Sequence, residues 1–480
     1  MHYDSLFIGG RWTAPATAER VQVISPVTVE PVGSVPAVDR ADVDAAVAAA
    51  RHAFDHGSWP STPPEERAQV LTRAARLIEE RSAALLAALT AEMGAPQMIA
   101  MTLNQIPAVA ALDAYAGLAK SFPWNETRTG LFGTARVSRE PRGVVAAVTA
   151  WNVPLFLAAN KLAPALLAGC TVVLKPAPLT PITANMVADI FTEAGLPEGV
   201  LSVLPAEAEV AEYLISHPGV DKVTFTGSTA VGKKIGAIAT GQLKSVSLEL
   251  GGKSAAILLP DMDLAGIPVL AFSGLMNSGQ GCVAQTRILA PRGRYDEILD
   301  ALVEHVKTMK VGVPDDPTVQ LGPLISERQR ARVEGYIAKG KAEGARLALG
   351  GGRPAGLDRG WFVEPTIFAD VDNKSTIAQE EIFGPVLSVI PYETEDEAVA
   401  IANDSVYGLA GSVWTADVEH GAEIAARVRT GTSAINWYAF DPSAPFGGYK
   451  SSGLGRENGP EGLDSFCEQK SVLMPMGWAG

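Results

Sequence analysis

Positive charge is scarce in this 480-residue chain: 39 Lys and Arg stand against 53 Asp and Glu, a formal net charge of −14. That balance argues against a nucleic-acid binder and against adherence to anionic membrane, since both need clustered positive charge. Cysteine is scarcer still. Cys170, Cys282 and Cys467 are odd in number and widely spaced, so no disulfide framework is expected and a reducing compartment fits. With 47 Gly and 33 Pro the chain is not low-complexity or collagen-like. Hydrophobic residues at 47% against 19% charged exclude a disordered chain. The opening Met1-His2-Tyr3-Asp4-Ser5 has no basic leader and no long apolar run, so a soluble cytoplasmic protein is expected. No metal site is read from the sequence.

One stretch challenges the soluble reading. From residue 144 to 174 the only charge is Lys161. A lysine at a bilayer centre costs about 2.5–3.5 kcal/mol, and Asn152, Pro154, Asn160, Pro164 and Gly169 break the run. The better parse is a buried strand (144–148), a helix (154–168) and a second buried strand (171–174). Both strands are almost continuously apolar, as in a parallel sheet covered on both faces.

The alternation continues with helices at 180–194, 207–216 and 229–239 and strands at 200–204, 223–226 and 246–250. This pattern predicts βαβ crossovers and a doubly wound parallel sheet, with ligands beyond the carboxyl ends of its strands. Those ends carry Trp151-Asn152, Lys175-Pro176, Thr226-Gly227-Ser228 and Glu249-Leu250-Gly251-Gly252. Upstream, residues 39–54 and 63–93 read as alanine-rich helices, the second opening with a capping pattern at Thr62 and Glu65. Downstream of Cys282 a second α/β set follows. Its helices fall at 295–308, 327–343, 395–403 and 418–428, and its strands near 287–289, 386–391, 411–414 and 434–436. Ser326/Gln329 and Thr394/Glu397 have capping-box spacing. Residues 129–139 and 466–474 are strand-like and belong to neither set. At about 100–200 residues per domain the length allows two or three domains.

Four positions carry a chemical signal. Gly227-Ser-Thr-Ala-Val-Gly232-Lys233 has P-loop glycine spacing, but Lys234 stands where that motif needs a Ser or Thr for magnesium. What remains is a strand end feeding a helix N-terminus, which favours an anion, or a glycine turn made for packing. Cys282 follows Asn277-Ser-Gly-Gln-Gly281, an amide-rich turn of the kind that stabilises a thiolate, whereas Cys170 and Cys467 read as inert core residues. Glu249 closes a buried strand, where a carboxylate is either satisfied by amides or poised as a base. Asn152 offers a neutral N–H to a developing oxyanion, or simply forms a turn.

Taken together these stretches resemble the aldehyde dehydrogenase superfamily. The matching segments are Trp151-Asn152-Val-Pro154, Lys161-Leu-Ala-Pro-Ala-Leu, Leu174-Lys175-Pro176-Ala, Phe225-Thr-Gly-Ser228-Thr, Leu248-Glu249-Leu-Gly-Gly-Lys253, Gly279-Gln280-Gly281-Cys282, Glu380-Glu381-Ile-Phe383-Gly-Pro385 and Pro445-Phe446-Gly-Gly-Tyr-Lys-Ser-Ser-Gly453. Eight segments in the family's order over nearly the whole chain make the match specific. The resemblance implies a dinucleotide-binding domain (1–121 and 142–250), an α/β catalytic domain (251–452), and a small β oligomerisation arm with the C-terminal tail (122–141 and 453–480). It also implies a homodimer or homotetramer.

Carried over by residue, the resemblance makes Cys282 the nucleophile, Asn152 an oxyanion donor and Glu249 the base that activates water. Lys161 and Glu457 match a pair implicated in proton relay, or form a structural ion pair at the rim. Trp151, Lys175, Gly227, Ser228, Gly232, Leu250, Glu381 and Phe383 would contact the cofactor. Where many members carry a glutamate on the adenosine ribose this chain has Pro178, so NAD is expected with NADP left open. Val153, Phe156, Leu157, Val283, Trp437 and Phe440 would form an apolar rim suited to a hydrophobic or aromatic aldehyde. A CoA-acylating dehydrogenase is an alternative that Glu249 disfavours. A P-loop nucleotide hydrolase is a more distant one.

Overall fold

The computed structural model describes residues 1–476 and 478. An eight-stranded sheet is built around the strand Val144–Val148, which has Thr171–Lys175 on one side and Lys222–Thr226 on the other, all parallel. Leu201–Val203 and Ser245–Glu249 extend this parallel core outward. Every residue of Val144–Val148 is buried, because apolar clusters cover both faces of the sheet. The apparent membrane-like stretch is therefore strand, helix Pro154–Ala168 and strand, all interior. Among the described residues no single helix is long and apolar enough to cross a membrane.

Three edge strands escape the sequence reading. Leu6–Ile8 and Arg11–Thr13 add antiparallel at one side, and the two-residue strand Gly453–Leu454 pairs antiparallel with Ser245–Glu249 at the other. Such short segments carry too few residues to display an alternation.

The second sheet has seven strands. From one edge to the other they are Arg346–Leu349, Thr366–Ala369, Val386–Tyr392, Arg287–Pro291, Ala255–Leu258, Gly411–Trp414 and Ala434–Ile435. Only the first pair is antiparallel. The two strand-like outliers meet in a third sheet. The hairpin Asn125–Gly130 and Gly133–Pro141 pairs with the tail strand Cys467–Leu473 in register from Cys467↔Pro141 to Leu473↔Ala135.

Local chemistry corrects several boundaries. The long helix expected over 63–93 breaks at Arg81 into Pro64–Glu80 and Ser82–Met93. Thr62 does not cap it; its hydroxyl donates to the Ser58 carbonyl at 3.0 Å, and Pro63 occupies the cap position. Ser326 and Thr394 do accept from the N–H groups of Gln329 and Glu397, but Glu397 turns its carboxylate to the Glu393 N–H at 2.6 Å. The reciprocal box lies instead at Asp39 and Asp42, at the start of Arg40–His56.

Candidate active site

The order of the first sheet fixes where a ligand can sit. After Val144–Val148 the chain moves outward through Thr171–Lys175 and Leu201–Val203, then crosses back to Lys222–Thr226 on the opposite side. This reversal opens a crevice at the carboxyl ends of Val144–Val148 and Lys222–Thr226, the usual ligand position in such sheets. Trp151, Asn152, Gly227 and Ser228 follow those ends. The Gly227 N–H donates to the Glu249 carbonyl at 3.0 Å, binding the third strand end to them.

Cys282 reaches the same place from the segment that leads into the second sheet. It follows helix Ile267–Leu275 in a turn where Asn277 and Ser278 adopt positive φ values of 52° and 55°. The Gln280 side chain clamps this turn, with Nε2 on the Asn277 carbonyl at 3.0 Å and Oε1 accepting from Ile325 N–H at 2.9 Å. Asn152 Nδ2 donates to the Gln280 carbonyl at 3.1 Å, and Asn277 Nδ2 returns a bond to the Asn152 carbonyl at 3.0 Å. Asn152 and the cysteine turn are thus locked together through buried amides.

The electrostatics of the thiol differ from the sequence expectation. The amides of Cys282 and Val283 do favour the thiolate, but they are outweighed. Desolvation, then the carboxylates of Glu381 and Glu249, push the Cys282 thiol up to about 12. Glu249 is buried, and both its carboxylate oxygens lack a hydrogen-bond partner among the described residues. Burial, reinforced by the like charge of Glu457, holds its carboxyl well above the usual range, against opposing pulls from Lys161 and Arg456. Glu381 is engaged instead, its Oε1 accepting the Gly252 N–H at 3.0 Å.

Lys161 and Glu457 are paired, but not at the rim. Their Nζ and Oε1 lie 2.6 Å apart, with the lysine side chain fully inaccessible. The helix Pro154–Ala168 presents both Lys161 and Asn160 to this carboxylate.

Lys175 is buried at its strand end, where desolvation lowers its ammonium to about 8; Glu207, which follows the neighbouring strand, opposes this. Ser228 occupies the N-cap of helix Thr229–Gly241 without a side-chain cap bond. Trp151 and Phe383 meet edge to face with centroids 5.3 Å apart. Gly232 and Leu250 pack together: a Cβ at Gly232 would fall 2.2 Å from Leu250 Cδ2, so that glycine seats the helix on the leucine. The rings of Phe156 and Phe440 lie 4.5 Å apart and Phe446 extends the cluster. Leu157 is buried, Val153 and Val283 half-buried, and Trp437 exposed.

The sequence model of the aldehyde dehydrogenase family matches residues 12–472. The chain belongs to the aldehyde dehydrogenase family. Among relatives of this aldehyde dehydrogenase, geranial dehydrogenase of Castellaniella defragrans is 48% identical over 98% of this chain and 99% of its own length. The crystal structure of a Mycobacterium tuberculosis aldehyde dehydrogenase complexed with NAD+ matches with 62% identity, full coverage of both chains and a TM-score of 0.99. A mutant of aldehyde dehydrogenase C from Pseudomonas syringae, complexed with NAD+ and octanal, is 41% identical. It aligns over 98% of this chain and 96% of its own, with a TM-score of 0.94.

Sequence reasoning missed four residues that shape this dehydrogenase's site. They are Asn160 and Thr224 on the Lys161–Glu457 pair, Glu207 beside Lys175, and Tyr438, which faces both Cys282 and Glu249 while its hydroxyl lies 2.9 Å from Thr432 Oγ1. Asn160 did leave a signal, as a polar residue next to a lysine in an otherwise apolar helix.

Proposed function

We propose that this aldehyde dehydrogenase oxidises a hydrophobic aldehyde to its carboxylic acid, with Cys282 as nucleophile and NAD as the oxidant. The observation that carries the reading is the buried, unpartnered carboxylate of Glu249, near enough to Cys282 for its charge to act on the thiol. A structural carboxylate buried this deeply would have its oxygens satisfied. One left open beside a nucleophile is suited to moving protons.

The residues fit NAD. The N-terminus of Thr229–Gly241, with no side chain closing it, suits the pyrophosphate, and Lys175 at the next strand end suits the adenosine ribose. Glu207 places a carboxylate beside Lys175, which supports NAD over NADP because a 2′-phosphate would meet a negative charge there. Glu381 and Phe383 would hold the nicotinamide end. When bound, NAD supplies the acceptor for the hydride that leaves the carbonyl carbon. Relatives with solved NAD+ complexes support the same cofactor.

Of the two carboxylates that face the thiol, Glu381 is committed to Gly252 and Glu249 is free. Glu249 therefore takes the thiol proton as sulfur bonds to the carbonyl carbon. The carbonyl oxygen becomes an oxyanion, held by the Asn152 side-chain N–H and the Cys282 backbone N–H. A neutral donor serves here without placing a formal charge beside the cofactor. Loss of hydride leaves a thioester on Cys282. Glu249 releases its first proton to solvent, then accepts one from water as the water oxygen attacks the thioester carbon. The C–S bond breaks, giving the acid and restoring the sulfur.

The aromatic cluster of Phe156, Phe440 and Phe446 supports an apolar substrate, in keeping with the geranial and octanal named for two relatives. The hairpin tip exposes Leu131 and Phe132, and the tail strand exposes Leu473, which supports a homo-oligomer formed through the three-stranded arm. The net charge and the three free cysteines support a cytoplasmic location.

The test is a panel of octanal, geranial, benzaldehyde and betaine aldehyde with NAD or NADP, with and without coenzyme A. Cys282→Ala and Glu249→Gln are the controls. The expected result is NAD reduction with apolar aldehydes, none in Cys282→Ala, and acyl-enzyme accumulation in Glu249→Gln. Oxidation that persists in Cys282→Ala would end the reading, and dependence on coenzyme A would replace it with the acylating alternative.

A further inference from the structure

Glu457 is held from two sides. Lys161 Nζ donates to its Oε1 at 2.6 Å and Asn160 Nδ2 to its Oε2 at 2.9 Å. The amide orientation is fixed by chemistry, since a carboxylate paired with a lysine only accepts. Lys161 is tethered in turn to Thr224 Oγ1 at 3.1 Å, on a strand of the central sheet. Asn160, Lys161 and Glu457 are all buried, so neither anchor is softened by solvent. A carboxylate with one strong donor on each oxygen is held in a single orientation, with both oxygens already accepting.

We propose that Asn160 is a positioning residue: with Lys161 it pins Glu457 as a fixed negative charge beside Glu249, so that Glu457 sets the basicity of Glu249 instead of carrying its protons. This rests on the reading of Glu249 as the base that activates water. Glu457 pairs through its backbone with Phe446, and a Cβ on the next residue, Gly447, would lie 2.7 Å from Glu249 Oε1, so the two carboxylates share one corner of the site. The charged and titratable groups that act on Glu249 are Glu457, Lys161, Arg456, Cys282 and Tyr438. Consistent with this, Glu457 is the largest electrostatic contributor to the raised Glu249 carboxyl, after burial.

Water activation needs Glu249 ionised, so deacylation falls as pH drops through its pKa, and a lower pKa moves that acid limb to lower pH. Glu457→Gln removes the anion and leaves Lys161 unopposed, and both changes lower the Glu249 pKa. Asn160→Leu frees Glu457 Oε2, so the charge can turn away from Glu249 and acts on it by less. The experiment mixes enzyme, NAD and octanal rapidly, then follows acyl-enzyme decay from pH 5 to 9. The expected acid limb moves down by about one pH unit in Glu457→Gln and by roughly half of that in Asn160→Leu. The double variant should move no further than Glu457→Gln alone. Asn160→Ser provides a smaller replacement should the leucine prevent folding, and Glu457→Gln is isosteric.

A limb that stays in place while the whole plateau falls overturns the proposal and makes Glu457 a carrier. Additive shifts in the double variant would show that Asn160 acts elsewhere, which also overturns it. Glu249→Gln separates the two readings. If deacylation is unimpaired there, the base assignment has failed. If it is lost there while Glu457→Gln leaves the limb unmoved, only the positioning role of Asn160 and Glu457 has failed.

Discussion

Gly252 approaches Cys282 so closely that a Cβ on it would lie 2.4 Å from the Cys282 carbonyl oxygen. The strand-end turn that carries Glu249 therefore rests directly on the backbone of the nucleophile. Gly252→Ala must push the two turns apart. Its overpacking cost is about 1–3 kcal/mol, tolerable for a chain with two large cores. Displacing a nucleophile by about an ångström also costs rate, so kcat with octanal and NAD should fall on the order of 100-fold. Steady-state NADH production and a thermal melt measure both. A large loss of melting temperature with unchanged kcat per folded enzyme would contradict this.

Asn152 makes one bond to the Gln280 carbonyl, and its amide has a second N–H available for an oxyanion. Asn152→Ala should lower kcat roughly 10²–10³-fold, the usual effect of losing one such donor. The burst of NADH should slow, because the oxyanion forms before the thioester does. A slowed acyl-enzyme decay with an intact burst would place the defect in water attack instead.

Lys175 gives a pH signature. With its ammonium lowered to about 8 by burial, the free enzyme loses this charge as pH rises through 8. A role on the adenosine ribose then predicts that KM for NAD rises above pH 8 while kcat holds. Lys175→Met should raise KM at pH 7 and flatten its rise. Initial rates against NAD concentration from pH 6.5 to 9.5 decide the matter.

Glu92 links stability to pH. It is fully buried and accepts the N–H groups of Ile182 and Thr183 at the start of helix Pro181–Glu193. Burial nevertheless raises its carboxyl from 4.5 to about 7. Below the unfolded value both states are protonated. Between 4.5 and 7 the unfolded state gives up its proton first, so the native state loses stability as pH rises through this window. At about 1.36 kcal/mol per pH unit the loss is on the order of 3 kcal/mol. Glu92→Gln should remove that slope, so its melting temperature gains on the wild type from pH 5 to 7 and stays level above. Parallel melting curves for the two across that range would disprove the linkage.

The doubly wound sheet was legible because its strands are apolar on both faces and its helices are long enough to show their period. Helix Pro154–Ala168 and strand Val144–Val148 emerge with the boundaries the sequence suggests. Leu6–Ile8, Arg11–Thr13 and Gly453–Leu454 were not legible, since a strand of two or three residues is defined by the edge it joins. The site was legible as a set of residue types at strand ends, but its electrostatics were not. The turn around Cys282 is as rich in amides as its sequence suggests, yet desolvation, with Glu381 99 residues after it and Glu249 33 before, outweighs them. Gly232 sits in a sequence that reads as a phosphate loop and in the fold makes room for Leu250.

The sequence by itself determined the layered α/β architecture, the family and the chemistry-bearing side chains, because apolar periodicity and residue type are local properties of the chain. Only the tertiary structure decided that Asn160 and Lys161 close on Glu457, that Gly252 meets Cys282, and that Glu249 is left without a partner. Those contacts join segments far apart in the chain, and the charge state of a buried group follows from the neighbours that folding brings to it.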